Sequence, residues 1–108
     1  MVKATFKTAY LQRELVMDVK VAAKMEVGTV VTLSGTGATA TITAVADSVL
    51  TPANTHYIVA QSDMTMNRAN STSVDDYSDE VAASTTALKK VALFKVIDPA
   101  DVVYKVKS

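Results

Sequence analysis

The sequence predicts a mainly β fold: a small single-domain antiparallel β-barrel or sandwich, with one long polar loop and at most one short helix. Three observations predict it. Val and Thr, whose branched side chains suit a pleated and half-buried surface, are abundant while Leu is scarce. Apolar and polar residues alternate with period two in several segments. Turn-forming residues separate those segments. At 108 residues the chain has the size of one domain.

The elements follow in order. Lys3–Ala9 is strand-like, with Phe6 as its one large apolar side chain. Its division from the rest suggests residues 1–13 as an N-terminal arm or edge strand and residues 14–108 as a single β-rich domain. Leu15, Met17, Val19 and Val21 share one face of an extended segment, with Glu14, Asp18 and Lys20 on the other. Strands are expected at Thr29–Leu33 and Ala38–Val45, joined through Ser34-Gly35-Thr36-Gly37, where Gly admits positive φ. Thr39, Thr41 and Thr43 interleave with Ala40, Ile42 and Ala44, giving a hydroxyl face and a small apolar face. His56–Gln61 follows the turn Thr51-Pro52-Ala53-Asn54. Lys90–Ile97 and Asp101–Val106 form a last pair, broken at Pro99 because proline cannot donate to a ladder.

Two stretches lack the strand pattern. Gln61–Asp76 is polar and aperiodic, and reads as a long surface loop. Ser78–Lys90 satisfies the end rules for a short helix, with Ser78 as cap, Asp79 and Glu80 in the first turn and Lys89 and Lys90 in the last. Ser84-Thr85-Thr86 opposes it, and both alternatives stay open.

Composition excludes several function classes. Eleven basic residues balance eleven acidic ones, which is not the basic bias that phosphate backbones demand, so no nucleic-acid partner is expected. No apolar run approaches the roughly 18 residues of a membrane span, and no secretory leader is recognised, so no membrane association is expected. Cys is absent, and the single His leaves zinc without its usual ligands. Gly35-Thr36-Gly37 lacks the third glycine and following helix of a dinucleotide loop. Asp75, Asp76, Asp79 and Glu80 do not have the spacing of a calcium loop. His56 has no nucleophile or orienting carboxylate assigned by spacing. The expectation is a non-enzymatic chain without metal or cofactor. The candidate contacts to a partner are Lys3, Lys7 and Arg13, a positive bias ahead of the first acid, with Phe6 as anchor. Met64 and Met66 join them as adaptable thioethers in the polar loop.

Three strings carry a family resemblance. They are Val27-Gly28-Thr29-Val30-Val31 with the Gly-Thr-Ala-rich hairpin after it, Tyr57-Ile58-Val59-Ala60-Gln61-Ser62-Asp63-Met64-Thr65, and Val91-Ala92-Leu93-Phe94-Lys95-Val96-Ile97. Together the chain, from about Lys3 to Val106, resembles the capsid decoration, cement and auxiliary head proteins of tailed bacteriophages, head-fibre proteins included. The resemblance implies a structural virion protein on the outer capsid surface that clamps or decorates the capsomer lattice. Its partners would be the major capsid protein and neighbouring copies of itself, as in a trimer. It also implies an N-terminal arm on the capsid protein, matched here by Lys3–Arg13. No motif of the family fixes individual contact residues. Many members have long Pro- and Gly-rich termini, whereas this chain has three Gly and two Pro. Two alternatives stand beside this reading. One is another virion part, such as a head-completion, connector or tail-tube protein. The other is a carbohydrate-binding module using Tyr10, Tyr57, Tyr77 or Tyr104 to stack on sugars.

Overall fold

The computed structural model describes residues 1–7, 13–61 and 80–107, with the main chain alone at 13, 14 and 61. Nine strands are described: β1 Val2–Phe6, β2 Arg13–Val21, β3 Met25–Glu26, β4 Val30–Ser34, β5 Thr41–Ala44, β6 His56–Gln61, β7 Glu80–Val81, β8 Ser84–Lys95 and β9 Val102–Val106. The mainly β class holds, and among the described residues there is no α-helix. Five strands close into a barrel in the order β2-β5-β4-β6-β8. The expected antiparallel barrel is in fact mixed: β2 and β5 run parallel over Lys20↔Thr41 and Val21↔Ile42, while the other neighbours are antiparallel. The intervening β3 and β4 supply the crossover that a parallel pair needs.

Two short sheets complete the molecule. β1 pairs with β9 along its whole length, from Val2↔Val106 to Phe6↔Val102. β3 pairs with β7 through Met25↔Val81 and Glu26↔Glu80. The two cores explain the arrangement. Val19, Val21, Val31, Ile42, Val59, Val91 and Leu93 fill the barrel interior, closed by Met25 and Val81. Val30, Ile58 and Phe94 are the sequence neighbours of Val31, Val59 and Leu93, so they point to the opposite face. There they meet Val2, Val102 and Tyr104, with Ala4 and Phe6 packed alongside. The β1–β9 ribbon therefore lies on the outside of the barrel, over β4, β6 and β8. Strands buried on both faces carry continuous apolar runs, which is the pattern of Val30-Val31, Ile58-Val59 and Val91–Phe94. β2 is buried on one face only and keeps its alternation, with Val19 and Val21 inside and Val16 and Asp18 outside.

Two further expectations are corrected. The helix proposed over Ser78–Lys90 is replaced, across its described part, by β7 and the start of β8. Lys89 and Lys90 pair with Val19 and Asp18 of β2, and Ser84 with Val21. Pairing with a barrel strand overrides the end signals, and the β-branched Thr85 and Thr86 favour it. The register slips between these pairs, so the start of β8 carries an irregularity rather than a helix. The strand expected from Ala38 begins at Thr41, because Gly37–Thr39 forms a single 3-10 turn. Thr36 N–H donates to Thr39 Oγ1 at 3.1 Å, and that hydroxyl donates back to Thr36 O at 2.9 Å. Of the long loop expected at Gln61–Asp76, only Gln61, the last residue of β6, lies within the described residues.

The β4–β5 connection also sets a test. Gly35 has φ +75°, and a Cβ there would sit 2.5 Å from Thr39 O, while Gly37 has φ +57° with open space around it. Gly37→Ala should cost about 1 kcal/mol, the ordinary left-handed penalty. Gly35→Ala should cost more, on the order of 3 kcal/mol, because main chain must move as well. Urea unfolding of both variants checks the order.

Candidate partner-contact surface

Among the described residues, Lys3, Phe6 and Lys7 fall on or directly beside the β1–β9 ribbon, while Arg13 belongs to the barrel strand β2. Lys3 projects from β1, and its Nζ donates to Glu26 Oε2 at 3.0 Å and to Val27 O at 3.0 Å. The Lys3 charge is thus largely satisfied within the molecule. Phe6 meets Phe94 edge-on, with centroids 5.1 Å apart and planes at 80°. It anchors the ribbon to the barrel wall, a geometry that adds about 0.5–1.5 kcal/mol beyond area burial. Lys7 is exposed, and its N–H donates to Asp101 O at 2.8 Å, extending the ribbon by one rung. Arg13 opens β2, its main chain opposite Lys95. Met64 and Met66 lie outside the described residues.

The structure assembles a basic patch around Lys3. A hollow of about 240 Å³ on the ribbon's outward face is lined by Lys3, Thr5, Val103, Lys105, Val106 and Lys107. Lys3 stands directly across from Lys105, and Thr5 across from Val103. Lys107 Nζ lies 3.6 Å from the same Glu26 oxygen that holds Lys3. The hydrogen bond from Lys3, then the charges of Lys3 and Lys107, hold the Glu26 carboxyl below its ordinary value of 4.5. Val103 and Val106 are exposed beside the lysines. Lys105, Lys107 and Val103 were not among the sequence candidates. Their period-two spacing is visible in the sequence, but its meaning depends on the pairing of the two ends of the described chain.

A second hollow, about 390 Å³, opens between β2 and the β4–β5 turn. Met17, Leu33, Gly35, Gly37, Ala40 and Leu88 are among its lining residues. Asp18 at its rim is paired to Lys90 at 3.3 Å. Its lining is chiefly apolar, and no buried polar side chain converges there.

The single histidine is part of the outer core. His56 Nδ1 lies 2.8 Å from the Tyr104 hydroxyl, and the rings stack with centroids 5.8 Å apart. Burial holds the imidazole below its ordinary 6.5 and pushes Tyr104 from 10.0 up to about 12, a rise partly offset by a main-chain hydrogen bond from Ala53. The two tyrosines described are already engaged: Tyr104 is buried against His56, and Tyr57 packs on the barrel core with Lys95 Nζ 5.0 Å from its ring centre. Among the described residues, no group of three His, Asp or Glu gathers to hold a metal ion. Comparison with protein families, curated proteins and solved structures finds no match to the chain.

The titrations predict a plateau of stability. As pH falls below 6.5 the unfolded chain protonates His56 before the folded one does, so stability declines from there downward. Glu26 adds a further decline below 4.5, where its ion pairs are lost as the carboxyl protonates. Above 10.0 the unfolded chain ionises Tyr104 first, and stability falls as pH rises toward about 12. Melting temperatures measured across this range should show the plateau. His56→Gln should remove the decline that begins at 6.5 and keep the lower one.

Proposed function

We propose that the chain is a structural virion protein that binds the outer surface of a tailed-phage capsid and stabilises or decorates the capsomer lattice. The observation that carries this reading is the outward face of the β1–β9 ribbon. It presents lysines and exposed valines on a barrel anchored beneath by a second core. Such a surface suits docking to another protein: the apolar groups supply contact area, and the charges supply orientation and on-rate.

The three strings behind the resemblance support the reading from another side. Within the described residues they run through β4 and β5, β6, and the last part of β8, which are consecutive in the barrel order. The likeness therefore concerns the wall that carries both cores. In this reading the N-terminal segment acts at the capsid as part of the ribbon, with β9 contributing as much of the contact surface as β1. Lattice binding would select the folded form and stabilise it by mass action, about 2.7 kcal/mol when free sites stand at a hundred times Kd.

Co-sedimentation tests it. Incubated with mature heads of the virus that encodes it, stripped of their outer proteins, the purified chain should pellet with them saturably. A chain that stays in the supernatant at every head concentration would contradict the reading.

A further inference from the structure

We propose that the outer edge of β9 accepts an extended acidic segment of a partner protein as an added strand, with Lys105 and Lys107 selecting its carboxylates. The inference deepens the reading above and rests on it for which protein supplies the segment.

The edge is defined by the ribbon's hydrogen bonds. Lys7 N–H donates to Asp101 O, and Lys107 N–H donates to Met1 O at 3.0 Å. Those pairs share their register with Lys3↔Lys105 and Thr5↔Val103. Hydrogen-bonded pairs alternate along an antiparallel ladder, so the odd-numbered residues bond inside the ribbon. The even-numbered ones direct N–H and C=O to its two outer edges. On the β1 side that edge is occupied around Lys3 and Ala4: Ala4 N–H donates to Gly28 O at 2.9 Å, and Lys3 bridges to Thr29. On the β9 side no second strand pairs among the described residues, so the main-chain groups of Tyr104 and Val106 have no ladder partner there. Among the described residues, the edge left without a ladder neighbour along its length is therefore that of β9.

An open edge recruits peptide, because it presents both donors and acceptors at strand spacing. A nucleic-acid backbone could accept from the N–H groups but has no donor series for the carbonyls. Charge narrows the occupant further. Lys105 has no ion pair among the described residues, and Lys107 shares Glu26 with Lys3. Among the described residues, two of the hollow's three lysines thus share one carboxylate and the third pairs with none. Val103, Lys105 and Lys107 repeat with period two, so an added strand would set its own alternate side chains beside them. Acidic residues at those positions complement the row. A second copy pairing antiparallel through the same edge would bring lysine rows together, and like charges across a ladder are destabilising.

The test uses the full chain and a short, terminally blocked peptide alternating threonine with glutamate, beside its threonine–lysine counterpart. The acidic peptide should bind and slow amide exchange at Tyr104 and Val106, and binding should weaken as salt rises. The double variant Lys105→Glu, Lys107→Glu should lose affinity for it by about tenfold or more and gain affinity for the lysine peptide. Val106→Pro, which removes an edge donor and leaves the charge unchanged, should weaken binding as well. Should that variant unfold, the charge-reversal pair still decides. Absence of binding, affinity unmoved by charge reversal, or exchange protection confined to other strands would overturn the proposal. So would self-association that protects the same amides, or inorganic polyphosphate reproducing that protection. Heads separate the two readings. If the intact chain ignores heads yet takes the acidic peptide at this edge, the capsid reading alone falls. If the charge-reversed chain pellets with heads as well as the intact one, the edge proposal alone falls.

Discussion

Burial of the β4-β6-β8 wall on both faces is the constraint on which the rest of the structure depends. Val31, Val59 and Leu93 look into the barrel, while Val30, Ile58 and Phe94 look out of it. An outward face this apolar is costly in water, at roughly 25 cal/mol per Å², and must be covered. The β1–β9 ribbon covers it with Val2, Phe6, Val102 and Tyr104. The ribbon in turn needs the wall, since an isolated two-stranded hairpin is at best marginally stable. Small side chains make this division necessary: with few aromatics, neither core alone buries much, and the wall lets one set of strands serve two.

The same arrangement decides what the surface can offer. The ribbon's inward positions are committed to packing, so its outward positions are free for contact. Lys3, Thr5, Val103, Lys105 and Lys107 are those positions or their continuation. Glu26, at the end of β3, ties Lys3 and Lys107 to the β3–β7 sheet. The contact surface is thus an outer layer over the second core, and its stiffness comes from that core.

Much of the fold was legible, for identifiable reasons. Leu15, Met17, Val19 and Val21 alternate because β2 is buried on one face, and the strand was read from that. The β4–β5 turn was legible from Gly35 and Gly37, whose positive φ excludes most other residues. Over Ser78–Lys90 the helical alternative fails in the described part, from residue 80 on, because helix end signals are local, whereas Lys89 and Lys90 take their conformation from Val19 and Asp18 far away in the chain. Of the contact surface, Lys3 and Phe6 could be singled out as conspicuous side chains in a polar segment. Their actual partners, Glu26 and Phe94, are remote in sequence and carry no mark of the pairing. Lys105 and Lys107 were missed for the same reason: only the β1–β9 register makes them neighbours of Lys3.

Ribbon and barrel form one cooperative unit joined through the doubly buried wall. Native-state hydrogen exchange measures this most directly, since each amide reports the free energy of the opening that exposes it. The inner amides of β1 and β9, at Lys3, Thr5, Val103 and Lys105, should exchange with the same free energy and denaturant dependence as those of β4, β6 and β8. Ribbon amides that open at much lower free energy, while the barrel strands keep full protection, would show that the ribbon is a separable appendage and would contradict a single cooperative unit.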